Sequence, residues 1–333
     1  MYETFFRLTE RPFDLTPSPR FLVLTDSHRE ALRNLEYGIA SRKGITLLIG
    51  EAGAGKTTII RSAIERQPMM VHCVHLNNPT LSREDFCAML ATKFGLSDRA
   101  VGSKTHLLLE LEALLRERRV RGETTVLIVD EAQSLSLELL EEIRLLANIE
   151  TNDEKLMSVI IAGQPELATR LNERDLRQLK QRVALRCELR PLSGVETEAY
   201  VAGRIRAAGG VGAEVFTREA VALLHQVSRG LPRIINVLAD NALLGGFAAG
   251  VKPVGRSIVM DVCRDFDLVP LGRSGEATEV PTAPVVPLSS AIRRDRTAAG
   301  PVSGADAGTT STESGEMFGA FSERRKRFSF FWS

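Results

Sequence analysis

Short apolar runs at 45–49 (ITLLI), 70–75 (MVHCVH), 125–130 (TVLIVD), 158–163 (SVIIAG) and 184–189 (ALRCEL) punctuate the first 190 residues and read as buried strands. Between them, 57–66, 82–94, 105–119 and 136–149 carry apolar residues three and four apart with charge on the opposite face, the pattern of amphipathic helices. Strands alternating with helices of this length predict an α/β architecture, a five-stranded parallel sheet between helices.

After Pro191 the strand pattern stops. Helical periodicity takes over at roughly 194–208, 217–229, 232–249 and 255–266, which predicts a small all-helical domain. From about Leu271 the chain turns to Ala, Gly, Ser, Thr, Pro and Val without period, and 271–316 reads as disordered because it cannot bury enough apolar surface to offset chain entropy. The expected division is a nucleotide-binding core with an N-terminal arm over 1–193, a helical lid over 194–268, and a mostly disordered tail over 269–333.

The first strand runs straight into GEAGAGKTT at 50–58, which satisfies G-x-x-x-x-G-K-[ST] and opens a helix. Glycines at 50, 53 and 55 let successive backbone N–H groups turn toward phosphate oxygens, and the helix start adds partial positive charge. Gly50, Glu51, Ala52, Gly53, Ala54, Gly55, Lys56, Thr57 and Thr58 are thus expected to cradle a nucleotide, with Lys56 on the β- and γ-phosphates and Thr57 on Mg²⁺. ATP and Mg²⁺ are the expected cofactors.

VLIVDEAQSL, at 126–135, supplies the partner of that loop. An apolar strand ending in Asp130 sets a carboxylate at the carboxyl edge of the sheet, where it can hold the metal, and Glu131 is placed to polarise the attacking water. The plainer reading is that both acids cap the next helix. The D-E-A-Q letters also suggest a helicase, yet that machine needs two motor domains and the chain has one phosphate loop. On this reading Ala132 and Gln133 carry no special meaning.

Gln164 ends the fourth strand and is placed to orient the water or touch the γ-phosphate, unless it is a loop amide before Pro165. Arg182, just ahead of the fifth strand, is the candidate to project into a neighbouring subunit's site; Arg177 and Arg186 are rivals for that role, as is an ordinary solvated arginine.

Composition narrows the partners. Lys plus Arg (43) and Asp plus Glu (42) nearly cancel to a net charge of +1, so there is no global electrostatic case for nucleic acid or an anionic membrane. The four cysteines form no C-x-x-C pair, against a zinc site or a disulfide framework. No apolar run approaches the roughly 20 residues that span a bilayer, and the start is not a signal peptide. A cytoplasmic chain is expected, if anything at the inner face of the inner membrane.

GEAGAGKT, LIVDEAQ, a polar residue ending the next strand, an arginine before the fifth strand and a helical domain containing SRGLPRIINVLAD together resemble the AAA+ ATPase module. That resemblance implies ATP hydrolysis, a nucleotide-dependent homo-oligomer, and Arg233 facing the nucleotide from the start of a lid helix; a simple capped helix with Pro232 in its first turn is the alternative. The opening FFRLTERPFDLTPSPRFLVLTDSHREALRNLEYGI is similar to that of the general secretion pathway protein A, or ExeA-like, family, and SHREAL resembles the pre-loop segment of origin-recognition-type AAA+ proteins. Those resemblances imply that Phe13, Pro17, Phe21 and His28 lie at the adenine, although such residues also serve as plain packing. Founding members of the family continue into a transmembrane helix and a peptidoglycan-binding part not found in this sequence, so a short form is expected. Its implied role is to assemble or remodel an envelope-associated export, pilus or exopolysaccharide system. A DNA-associated regulator of the transposition type is the alternative.

The end, RRKRFSFFWS at 324–333, sets Trp332 and three phenylalanines beside a basic cluster, a composition suited to docking on a partner, to a membrane surface or to packing on the chain itself.

Overall fold

The computed structural model describes residues 1–14, 21, 23–68, 70–76 and 81–268. Pro17, the stretch 271–316, the tail division and the basic-aromatic end lie outside the described residues. Strands β1 (Ile45–Gly50), β2 (Val71–Leu76), β3 (Thr124–Val129), β4 (Ser158–Gly163) and β5 (Val183–Leu189) form one sheet in the order β2-β3-β4-β1-β5. Every neighbouring pair is parallel. The central strands β1, β3 and β4 are buried along their whole length, which is why they read as continuous apolar runs.

Strand side chains alternate between two apolar clusters. Leu47, Ile49, Leu127, Val129, Val159 and Ile161 pack with residues from α4 (Arg83–Phe94), α5 (Asp98–Gly102), α6 (Lys104–Val120) and α7 (Leu137–Leu146). Leu48, Val126, Ile128 and Ile160 face the other way, against α2 (Asp26–Ala40) and α3 (Lys56–Glu65). Short helices α8 (Pro165–Arg170) and α9 (Arg177–Gln181) join β4 to β5. The strands and longer helices fall within one or two residues of their predicted bounds, except that α7 ends three residues early at Leu146, and α2 was not among the predicted helices. Thr25 caps it through the His28 N–H, and it buries His28, Ala31, Leu32, Leu35 and Ile39 on one stripe. Leu35 is wholly enclosed, so truncating it to Ala should cost roughly 2–5 kcal/mol.

Helices α10 (Gly194–Ala207), α11 (Gly212–Val215), α12 (Arg218–Ser228), α13 (Pro232–Ala248) and α14 (Arg256–Asp265) form the helical domain. A capping box between Ser193 and Glu196 starts α10 and satisfies its free N–H groups.

The short helix α1 (Tyr2–Phe5) of the arm packs on the helical domain, where Tyr2, Phe6, Leu8, Phe13 and Phe21 share a cluster with Tyr200, Ile205, Phe216 and Leu238. Tyr2 donates to Asp240, Thr9 N–H to the Ala208 carbonyl at 2.9 Å, and Phe13 meets Phe216 edge to face. The reason is surface matching: the arm's aromatic side chains have no strand to build on, and the apolar faces of α10 and α13 receive them. The chain crosses to the core between Val23, packed on the helical cluster, and Leu24, packed on the core. It returns between Leu189 and Leu192.

Candidate functional site

At the end of β1 the chain turns through 51–55 and enters α3, with Gly55 at the N-cap in the left-handed region (φ 95°). Lys56 is buried, and its Nζ donates to the Gly50 carbonyl at 2.8 Å and to the Glu51 carbonyl at 3.2 Å. The ammonium is thus held by the loop's own acceptors, at the wall of a cavity of about 370 Å³. Gly53 to Thr58 line that cavity, whereas Glu51 and Ala52 are exposed and do not.

Thr57 Oγ1 donates to Asp130 Oδ2 at 2.9 Å, joining the helix start to the end of β3. Asp130 Oδ1 accepts the Glu131 N–H at 3.0 Å. A hydroxyl and a carboxylate side by side, next to a phosphate loop, are the hard oxygen donors that Mg²⁺ takes while keeping waters and phosphate oxygens for its other positions. The residues therefore fit the metal, and Thr57 and Asp130 are the side chains that would hold it.

Glu131 lies in the left-handed region (φ 53°), a conformation few non-glycine residues adopt. The turn aims its carboxylate toward the end of β4. There Oε2 accepts from Gln133 Nε2 at 2.6 Å and from Gln164 Nε2 at 3.1 Å, and Gln133 Oε1 accepts the Gln164 N–H at 3.1 Å. Arg170 pins the Gln133 and Leu135 carbonyls at 2.5 and 2.9 Å. Burial pushes the Glu131 carboxyl up, but the two amide donors and the Lys56 charge outweigh it and leave the group below the ordinary carboxylate range. Gln133, set aside in the sequence reading, is thus the nearest partner of Glu131. Its i+2 position in a tight turn after the strand was the available signal.

The helical domain closes the cavity from the other side. Pro232 opens α13, the Arg233 N–H donates to the Gly53 carbonyl at 3.2 Å, and the Arg233 side chain lines the cavity. His28 stands where arm, loop and α2 meet. Its Nε2 lies 3.1 Å from the Ala54 carbonyl, which can only accept, so Nε2 carries the proton and Nδ1 accepts from the Thr25 hydroxyl at 2.7 Å. Burial pulls its pKa down, opposed by the Ala54 hydrogen bond and by Glu196. Phe21 lines the cavity and Phe13 lies buried behind it.

Arg177, Arg182 and Arg186 are all exposed, and none lines this cavity. Arg182 closes the end of α9, and Arg186 lines a smaller hollow of about 150 Å³ beneath Gly50 and Glu51. The structure thus brings together Lys56, Thr57, Asp130, Glu131, Gln164, His28 and Arg233, and leaves the three arginines outside. Sequence reasoning missed Tyr200, Arg204 and Asn236, which also line the cavity. The available signal was an arginine on the inward stripe of α10, four residues after Tyr200.

A parallel sheet whose first strand enters a glycine loop, with an acid-ended strand bonded to that loop and a helical domain over it, defines a P-loop nucleotide-binding protein of AAA+ type. Residues 39–171 match the model of the AAA domain family. The chain is 41% identical over 258 residues to general secretion pathway protein A of Aeromonas hydrophila, a match covering 75% of this chain and 46% of that protein. Over the aligned residues it is an AAA+ module of the ExeA-like kind. It is also 24% identical over 193 residues to the Mu-like prophage FluMu DNA transposition protein B of Haemophilus influenzae, covering 56% of this chain and 62% of that protein. The chain spans less than two thirds of either relative. Among solved structures, the ORC2 protein of Aeropyrum pernix in its ADPNP-ADP complexes superposes with a TM-score of 0.59 at 18% identity, over 77% of this chain and 71% of that one. That likeness is one of fold. No helix among the described residues is long and apolar enough to cross a membrane.

Proposed function

We propose that the chain binds ATP with Mg²⁺ in the 370 Å³ cavity and hydrolyses it, and that this cycle drives assembly or remodelling of an envelope-associated export, pilus or exopolysaccharide system. The carrying observation is the contiguous set Lys56, Thr57, Asp130 and Glu131, with Thr57 bonded to Asp130 and the ionised Glu131 held one residue further on. On this reading the loop N–H groups take the phosphates, and Lys56 exchanges the Gly50 and Glu51 carbonyls for β- and γ-phosphate oxygens. Thr57 and Asp130 hold the metal, which when bound screens the phosphate charge. Glu131 accepts a hydrogen bond from the attacking water and polarises it, while Gln164 fixes the carboxylate's direction. Arg233 reports the γ-phosphate to the helical domain. Arg182 completes the site of a neighbouring copy, which makes the working form a homo-oligomer. The domain roles follow: core for chemistry, helical domain as lid.

The test is Glu131→Gln in the full chain. ATP binding should persist while phosphate release falls by two or more orders of magnitude, in line with loss of a positioned base; continued turnover would remove Glu131 from the role.

The likeness to transposition protein B supports a second reading, a DNA-associated regulator. Duplex DNA raising the ATPase rate about tenfold or more, a barrier change of about 1.4 kcal/mol, would favour that reading over the envelope role.

A further inference from the structure

The phosphate end of the cavity is built by the core, but the opposite end is not. There the lining comes from the arm (Asp14, Phe21), from Val23, and from the helical domain (Leu192, Tyr200, Arg204). Rings and aliphatic side chains mixed with a few hydrogen-bonding groups suit a flat base and its sugar. Arg204 sits at the centre of this wall and is only 7% exposed. Its Nε donates to the Pro12 carbonyl at 2.5 Å and its Nη2 to the Asp14 carbonyl at 3.3 Å, so it grips the main chain on both sides of Phe13. The guanidinium also lies over the rings of Phe13, Phe21 and Tyr200, at 6.0, 5.1 and 5.5 Å from their centres.

A polar chain runs onward from this grip. Nη1 donates to Tyr200 Oη at 2.7 Å. Arg204 can only donate and the Pro232 carbonyl can only accept, which orients the amide between them: Asn236 oxygen accepts from Nη1 at 3.0 Å, and its nitrogen donates to Tyr200 Oη at 2.9 Å and to Pro232 at 3.3 Å. Pro232 begins α13, whose next residue bonds Gly53 of the phosphate loop.

We propose that Arg204 is the positioning residue for the nucleoside end of the ligand, fastening the arm to the helical domain as the wall against base and sugar. The proposal rests on reading the cavity as an ATP site. Main-chain carbonyls in an arm with little regular structure need donors, and Arg204 supplies two from one planar group, to the buried Pro12 carbonyl and to the part-buried Asp14 carbonyl. Without it Phe13 and Phe21 lose their anchor and the wall loosens, while loop, Lys56 and Thr57 keep their geometry. Base and phosphates are thus held by two different bodies, and the nucleotide joins them.

The experiment is calorimetric titration of the full chain with ATP and, separately, with inorganic tripolyphosphate, both with Mg²⁺. Arg204→Met keeps the bulk and removes the charge and donors. It should weaken ATP on the order of tenfold, the scale of a lost charged hydrogen bond, and leave tripolyphosphate within about twofold. Arg204→Lys, which keeps a cation over the rings, should recover part of the loss. Phe21→Ala removes a piece of the same wall while keeping the Arg204 hydrogen bonds to Pro12, Asp14 and Tyr200, and should show the same split if Arg204→Met does not fold. Equal weakening of both ligands would make Arg204 a general pin of the fold and overturn the proposal, as would unchanged ATP affinity. Wild-type protein that binds tripolyphosphate but prefers ATP no more strongly overturns it too, whereas wild-type protein binding neither sinks the nucleotide reading itself.

Discussion

Arg233 donates its main-chain N–H to the carbonyl of Gly53, so the first turn of α13 is bonded directly to the crest of the phosphate loop. Gly53 has φ 79°, and a Cβ added there would stand 2.5 Å from the Arg233 Cβ. Gly53→Ala therefore carries backbone strain of roughly 1–2 kcal/mol and forces α13 off the loop. It should lower the melting temperature and weaken ATP by about tenfold or more. Arg233→Ala keeps the N–H and so should leave the melting temperature nearly unchanged while still weakening ATP; calorimetry and thermal melts on the two variants separate the backbone contact from the side chain.

Gln133 is the closest hydrogen-bond partner of Glu131, and its amide is the strongest influence lowering that carboxyl's pKa. A base held below the usual carboxylate range stays ionised as pH falls, so turnover should be lost only when pH drops through the lowered value. Gln133→Ala removes the donor and should raise the Glu131 pKa, moving the acid limb of the rate profile to higher pH. A limb that stays in place in the variant would show that the amide does not set the base.

His28 gives the opposite kind of titration from a salt-bridged histidine. Burial holds its pKa below 6.5, so the folded chain takes up a proton less readily than the unfolded chain. The stability it lends is complete above about 6.5 and is lost as pH falls from there toward the lowered value. Melting temperature against pH should fall more steeply on that acid side in wild type than in His28→Gln. Parallel curves would count against the assignment.

Arg182 lies outside its own chain's cavity. If it serves a neighbour, Arg182→Ala should bind ATP normally and turn it over poorly, and mixing it with Lys56→Ala should restore activity, because the Lys56→Ala copies still lend their arginines. Arg177→Ala and Arg186→Ala, run through the same mixing test, identify the acting residue by which variant needs the partner.

The sheet and the loop were legible because they are local: apolar runs of strand length, a glycine spacing dictated by phosphate, an acid at a strand end. Less legible was whatever depends on which surfaces meet. The α2 stripe His28, Ala31, Leu32, Leu35 and Ile39 keeps helical spacing, but it precedes the first strand, inside a segment that read as an arm. Gln133 gains its place only because Glu131 adopts a left-handed turn, a backbone choice that the letters D-E-A-Q do not encode. Arg204 reads as one more charged residue on a helix, until the arm lays two carbonyls against it. The arm's letters resemble an adenine-side segment, and only the folded chain shows Phe6, Phe13 and Phe21 clustered with residues of α10 and α13.

The helical domain is joined to the sheet by two covalent crossings, at Val23–Leu24 and between Leu189 and Leu192. Val23 and Leu192, beside the two crossings, both line the cavity, so the arm and the helices α10–α14 are tied to the core at the cavity's own wall.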